Sequence, residues 1–375
     1  MKEIRVADHM KFVKKSAIRQ LVDSAPADAI NLGLGEIQFP LPEFLKQKAA
    51  EIINFKNIGY STNAGLIELR KAICDYYQCE FNDNVCITAG AEEALFAALF
   101  SYINKGDEVL IANPTFLAYK TIVEMLGAEV SSFSLDPQNE FALNENSLRI
   151  AITDKTKAMI LCNPSNPLGI ALNDHEIDLI IDICRKNKIL LIVDEVYREL
   201  FLDERSRSFL DTDLDTIIIS SLSKSHCMSG WRIGWAISQK PELIAPIIKT
   251  HQYICTCAPV MSQFLALEAL SIEGMQAKEE IRIKLAENRK FAIDYISNAN
   301  IEFLLNSSSP YLFVKVNGDD WKVAEALSKM GVIVIPGSAF GSNGKGFVRI
   351  NYGIESDKLS KSIIILAKFQ KEIIL

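Results

Sequence analysis

No apolar run in the 375 residues approaches the ~20 needed to span a bilayer, and the opening stretch MKEIRVADHMKFVKKSAIRQ lacks the apolar core of a secretory signal. A membrane protein is thereby disfavoured. A basic excess is missing too: 40 Lys and Arg stand against 47 Asp and Glu, for a formal net charge of −7. The cations are scattered, which argues against a nucleic-acid partner. Histidine is scarce; His9, His175, His226 and His251 lie far apart and offer no helical metal spacing, so no metal is expected. The eight cysteines repeat at no fixed spacing, and the nearest pair, Cys255 and Cys257, lacks the second pair of a zinc site. They read as reduced thiols in a cytoplasmic protein. No strand-like run leads into G-x-G-x-x-G, which sets aside a nicotinamide dehydrogenase.

What is present is a rhythm. From about residue 45 to 280, short apolar runs alternate with helical patterns: NVCITAG before AEEALFAALFSYI, DEVLIANP before TFLAYKTIVEML, KAMILCNPSNPLG before NDHEIDLIIDICRKN, then KILLIVDE and DTIIISSLSK. Runs of β-branched residues without polar alternation are strands buried on both faces, and helices between them imply βαβ units. The fold class is therefore α/β, a mostly parallel sheet with helices on both faces. YLFVKVNG, GVIVIPG and GFVRINYG, set around WKVAEALSKM, suit a smaller α+β domain. The Gly- and Pro-rich INLGLGEIQFPLPEFL is expected to join it. The expected division is a large domain over 46–280 and a small one from 1–45 and 281–375.

Ligands of open parallel sheets bind beyond the carboxyl ends of the strands. Five strands bring Gly90, Phe116, Asn166, Asp194 and Lys224 to that rim. TAGAEEAL opens a helix whose free N–H groups can seat an anion. LIVDE ends an apolar run in a carboxylate, Asp194, that needs a partner: a helix N-cap, a salt bridge or a protonated ring nitrogen. NPSNPLG is a tight turn whose Asn166 has donors for a ring oxygen, and Tyr197, expected one helical turn past Asp194, could reach the same oxygen. Phe116 could stack on a flat heterocycle. SLSKSHCMSGWRIGW adds two hydroxyls (Ser221, Ser223), an amine (Lys224) and a guanidinium (Arg232). A planar, phosphorylated, carbonyl-bearing cofactor would use them all.

Read together, these blocks resemble the class I/II aminotransferases, fold-type I enzymes that depend on pyridoxal 5′-phosphate, and most closely their prokaryotic aspartate and aromatic branch. The resemblance runs from INLGLGEIQFP to FVRINYG. It implies that Lys224 bonds the cofactor's aldehyde carbon and later shuttles the α-proton, and that Asp194 binds the ring nitrogen. It further implies that Asn166 and Tyr197 hold the ring oxygen and that Phe116 stacks on the ring. Ser221, Ser223, Arg232 and the amides of Gly90, Ala91 and Glu92 would cradle the phosphate. Arg349 would grip the substrate α-carboxylate, with Asn166 and Gly35 beside the substrate, and Tyr60 would reach the neighbouring subunit's phosphate in a homodimer with shared active sites. Two departures stand out. Glu92 occupies a place where many relatives have a small hydroxyl or a lysine, so its side chain is expected to turn away. GEIQFP replaces the commoner Gly-Glu-Pro-x-Phe, placing Ile37 and Gln38 in the segment expected to line the side-chain pocket.

The function implied is exchange of an amino group between an α-amino acid and a 2-oxo acid in two half-reactions, through the pyridoxal and pyridoxamine forms of the cofactor. The alternative is a C–S lyase, a cyclising synthase or a racemase with the same cofactor. A non-catalytic ligand sensor would need an added DNA-binding domain, for which the first ~30 residues are expected to leave no room.

Overall fold

Runs of Ile, Val and Leu become strands covered on both sides. The computed structural model describes residues 5–11, 13, 15–202, 204–305 and 308–374. After a short first strand, β1 (Ile30–Asn31), eight strands make one sheet: β2 (Val85–Thr88), β3 (Glu108–Asn113), β4 (Glu129–Asp136), β5 (Ala142–Leu143), β6 (Thr156–Cys162), β7 (Leu190–Asp194), β8 (Thr216–Ser221) and β9 (Gly234–Ile237). Their spatial order is β2-β9-β8-β7-β6-β3-β4-β5. Neighbours from β8 through β7, β6 and β3 to β4 are parallel. The exceptions are β9, antiparallel to β2 and β8, and β5, antiparallel to β4. Since β9 reverses twice, β2, β3, β6, β7 and β8 all point one way, and their carboxyl ends share one edge.

The lack of polar alternation now has a cause. Met159, Leu161, Leu191, Val193 and Ile218 pack into a core on one face of the sheet. Ala158, Ile160, Leu190, Ile192, Ile217 and Ile219 pack into a second core on the other. With both faces buried, neither can be polar. The covering helices carry their own start signals. Helix Asp174–Asn187 opens with a capping box, in which Asn173 accepts from the Glu176 N–H and Glu176 accepts from the Asn173 N–H.

The smaller sheet has the order β10 (Phe303–Leu304), β11 (Tyr311–Lys315), β14 (Phe347–Asn351), β13 (Ile335–Pro336), all antiparallel. The remaining strand, β12 (Val332–Ile333), pairs in parallel with β1. A third core joins Leu21, Leu32, Ile37 and Phe39 to Val314, Ile335, Val348 and Ile350, whereas Leu45 and Ala49 belong to a core of the large sheet. The helix Ile272–Asn298, N-capped by Ser271, runs unbroken through residue 280. Among the described residues, no helix is long and apolar enough to cross a membrane.

Candidate active site

Two glycines shape the anion seat at the end of β2. Gly90 stands at φ +94°, a conformation that L side chains rarely adopt. A Cβ there would lie 2.4 Å from Arg232 Nη2, and one at Gly234 would lie 2.6 Å from the Ala91 amide nitrogen. Without either side chain, the Arg232 guanidinium closes on the first turn of helix Ala91–Tyr102. Arg232 donates through Nη1 to the Ser229 carbonyl (2.8 Å) and through Nη2 to the Ala89 carbonyl (3.2 Å). Ser221 and Ser223 are buried beside it at the end of β8, with the Ser223 N–H donating to Ser221 Oγ (3.3 Å). A helix N-terminus, a guanidinium and two hydroxyls form a donor set matched to phosphate. Glu92 is exposed; the acid that turns back is Glu93, which accepts from the Ala89 N–H.

Asp194 closes β7, half-buried at the centre of the rim. Its Oδ2 accepts from the Tyr119 hydroxyl (2.9 Å) and its Oδ1 from the Val196 N–H (3.2 Å). Burial pushes its carboxyl up to about 6, against the opposing pull of Tyr119, the Val196 N–H and the Lys224 charge. Burial likewise lowers the Lys224 amine to about 8, with Asp194 and Glu36 acting the other way. The Lys224 Nζ donates to the Gly35 carbonyl. An amine and an acid are thus both held near neutrality, as proton-transfer groups need to be.

Arg349, on β14, is fully buried. Its Nη1 donates to Asn166 Oδ1 (2.6 Å) and its Nη2 to the Gly33 carbonyl (2.5 Å). The guanidinium carbon lies 4.3 Å from the Tyr311 ring centre and 4.8 Å from that of Phe340. Its Nε is buried with no partner among the described residues, and burial lowers its pKa. A buried cation held only by neutral groups lacks a counter-charge, and a carboxylate is the matched one. Asn166 Nδ2 donates to the Tyr197 hydroxyl (3.4 Å), which lies 2.8 Å from that of Tyr311.

The structure thus gathers Gly35, Gly90, Ala91, Asn166, Asp194, Tyr197, Ser221, Ser223, Lys224, Arg232 and Arg349. Phe116 caps the helix Leu117–Met125 at the same rim, its ring edge-on to Tyr119 at 5.6 Å. Tyr60 stays apart, 89% exposed. One expectation needs correction. Tyr197 sits in a tight turn before the 3-10 helix Arg198–Leu200, not one turn along an α-helix. Ile37 is 2% exposed in the smaller core, and Gln38 donates to the Asn31 carbonyl (2.7 Å). The same GEIQFP segment meets Lys224 through the Gly35 carbonyl.

Sequence reasoning missed Tyr119 and Tyr311. Both are wholly buried phenols, and a Cβ at Gly35 would come within 2.9 Å of the Tyr311 hydroxyl. TFLAY and SSSPYLF look like ordinary core segments, so no local signal marked them. The phosphate seat, the half-buried acid and the half-buried amine fit pyridoxal 5′-phosphate.

Residues 27–363 match the family model for aminotransferase class I and II. The probable aspartate aminotransferase of Methanocaldococcus jannaschii is 32% identical over 377 residues, spanning 96% of this chain and 98% of that protein. The aspartate aminotransferase of Pyrococcus abyssi is 31% identical over 384 residues, spanning 98% of each. Among solved structures, the aromatic aminotransferase of Pyrococcus horikoshii superposes with a TM-score of 0.87 at 29% identity, covering 95% of this chain and 99% of that one.

Proposed function

This chain belongs to the class I and II aminotransferases, and on that premise we propose how its own residues carry the reaction. It is a pyridoxal-phosphate-dependent transaminase of the fold-type I α/β class. Its substrates are an α-amino acid and a 2-oxo acid. When bound, the cofactor supplies an electron sink for the pair left at the substrate α-carbon when its proton departs.

The remaining tasks fall to the protein. Gly90, Ala91, Glu92 through its amide, Ser221, Ser223 and Arg232 hold the phosphate. Asp194 would hold the ring nitrogen in its protonated form; Asn166 and Tyr197 would take the ring oxygen, and Phe116 would cover the ring. Arg349 fixes the substrate α-carboxylate beside Asn166 and Gly35, so that the α-C–H bond is held in one orientation. Lys224, whose amine burial lowers to about 8, would accept the α-proton at Nζ. The observation that carries this reading is the buried Arg349 guanidinium, which keeps one nitrogen without a partner beside the amine and acid of the rim.

We also infer a homodimer. Tyr60 is 89% exposed, and Ile53, Phe55, Ile58 and Tyr253 are likewise exposed, which supports covering by a second copy and a reach of Tyr60 into its phosphate seat. A division into a large and a small domain is supported by the separate cores, while Leu45 falls on the large side of the expected 1–45 bound and helix Ile272–Asn298 crosses the expected break at 280. The eight free thiols support a cytoplasmic setting.

The test is a panel of amino acids offered to the cofactor-loaded protein with 2-oxoglutarate. Formation of glutamate and the matching 2-oxo acid is expected, and Lys224→Ala should abolish both this turnover and the visible absorbance of the lysine-bound cofactor. Ammonia and pyruvate in place of glutamate would assign the chain to elimination chemistry.

A further inference from the structure

Behind the phosphate seat lies a cluster that the transamination residues leave unused. Helix Pro241–Cys255 places His251 and Cys255 one turn apart, and helix Ala91–Tyr102 brings Glu93 to meet them. His251 is fully buried. Glu93 Oε1 lies 2.6 Å from His251 Nδ1 and 3.5 Å from Cys255 Sγ, and Cys255 Sγ lies 3.6 Å from His251 Nδ1. An imidazole nitrogen, a thiol and a carboxylate oxygen therefore converge within 4.8 Å of one another.

We propose that Glu93, His251 and Cys255, with a solvent oxygen as fourth ligand, bind a divalent transition-metal ion of the zinc class. In tetrahedral zinc sites, bonds of about 2.3 Å to sulfur and about 2.0–2.2 Å to nitrogen and oxygen put sulfur roughly 3.5 Å from either lighter ligand. Both sulfur distances here already have that length. Only the Nδ1···Oε1 separation must open, from 2.6 Å to about 3.3 Å for the same bond lengths. One thiolate and one carboxylate balance the ion's two charges, and a mixed sulfur, nitrogen and oxygen set favours zinc or cobalt over magnesium or calcium. On binding, the Cys255 thiol releases its proton to solvent, and the imidazole proton that Nδ1 shares with Glu93 moves to Nε2, freeing the Nδ1 lone pair. Burial and the Glu93 charge hold the free thiol up to about 12, so affinity rises with pH. Glu93 also accepts the Ala89 N–H through Oε2, and the Ala89 carbonyl takes Arg232 Nη2. The ion would brace the turn that carries the phosphate seat.

The experiment titrates reduced, untagged, cofactor-loaded protein with Co²⁺ and reads the visible ligand-field bands of tetrahedral cobalt. One equivalent per chain is expected, displaced by Zn²⁺. Cys255→Ser, at an exposed position, and His251→Gln should each weaken binding at least tenfold, while Cys184→Ser, outside the cluster, should leave it unchanged. Absence of the bands in the parent protein overturns the proposal. So does their survival in Cys255→Ser, whether or not the buried His251 variant folds.

Discussion

The Tyr119 hydroxyl donates a 2.9 Å hydrogen bond to Asp194 Oδ2. The two residues are 75 positions apart, on different strand–helix units. Burial holds the phenol well above its ordinary pKa, so it remains a donor. Because the bond favours the ionised acid, removing it must raise the Asp194 pKa further. A hydrogen bond to a charged group is worth about 1.5–3 kcal/mol. Tyr119→Phe should therefore shift the acid limb of the kcat profile upward by about one to two pH units, that energy taken at ~1.4 kcal/mol per unit. An unchanged profile would leave Tyr119 with a packing role only.

The cofactor-free protein carries a pH signature of Asp194. Its carboxyl titrates near 6 when folded against 3.8 as the ordinary value. A raised carboxyl favours the folded state fully below 3.8, and that contribution is lost as pH rises through 6. Lowering the pH from 7 toward 4 should thus recover about 2 kcal/mol of stability at this site, from ~1.4 kcal/mol per pH unit discounted for partial solvent contact. The check is the difference in urea midpoint between wild type and Asp194→Asn across that range. If the difference is flat, the acid is not desolvated.

Arg349→Ala removes both the guanidinium and the filling between Tyr311 and Phe340. If Arg349 holds the α-carboxylate, KM should rise about 100-fold or more for every amino acid tried, since a charged pair lost from a buried site costs about 3–5 kcal/mol. Arg349→Lys should recover little, because one ammonium cannot reproduce the fork. A defect confined to one substrate contradicts the assignment.

Gly90→Ala should fold but bind cofactor poorly. The new methyl falls on Arg232 Nη2, in a backbone conformation at φ +94° that alanine resists. Both effects act on the phosphate seat, so the cofactor Kd should increase at least tenfold, a cost of ~1.4 kcal/mol or more. Lys224 accessibility to the bare aldehyde vitamer, which lacks the phosphate, should change far less.

Much of the site was legible along the chain because its signals are local. A buried parallel strand announces itself by an unbroken apolar run, and the residue that follows it must lie on the ligand edge. Gly90, Asn166, Asp194 and Lys224 each come one to five residues after such a run, and the family resemblance added Arg349. The contacts of Ile37 and Gln38 were not legible, since GEIQFP gives no period from which to tell inward from outward.

The sequence by itself determined the α/β class, the direction of the strands and the set of groups on the rim, because these follow from side-chain periodicity within one element. Only the tertiary structure decided which distant groups meet. It set Tyr119 on Asp194, put Tyr311 between Tyr197 and Arg349, and turned Glu93 toward His251 and Cys255, 158 and 162 residues away. Such contacts arise where two elements cross, and crossing angles and depths are fixed by packing of the whole core, which no short stretch of chain encodes.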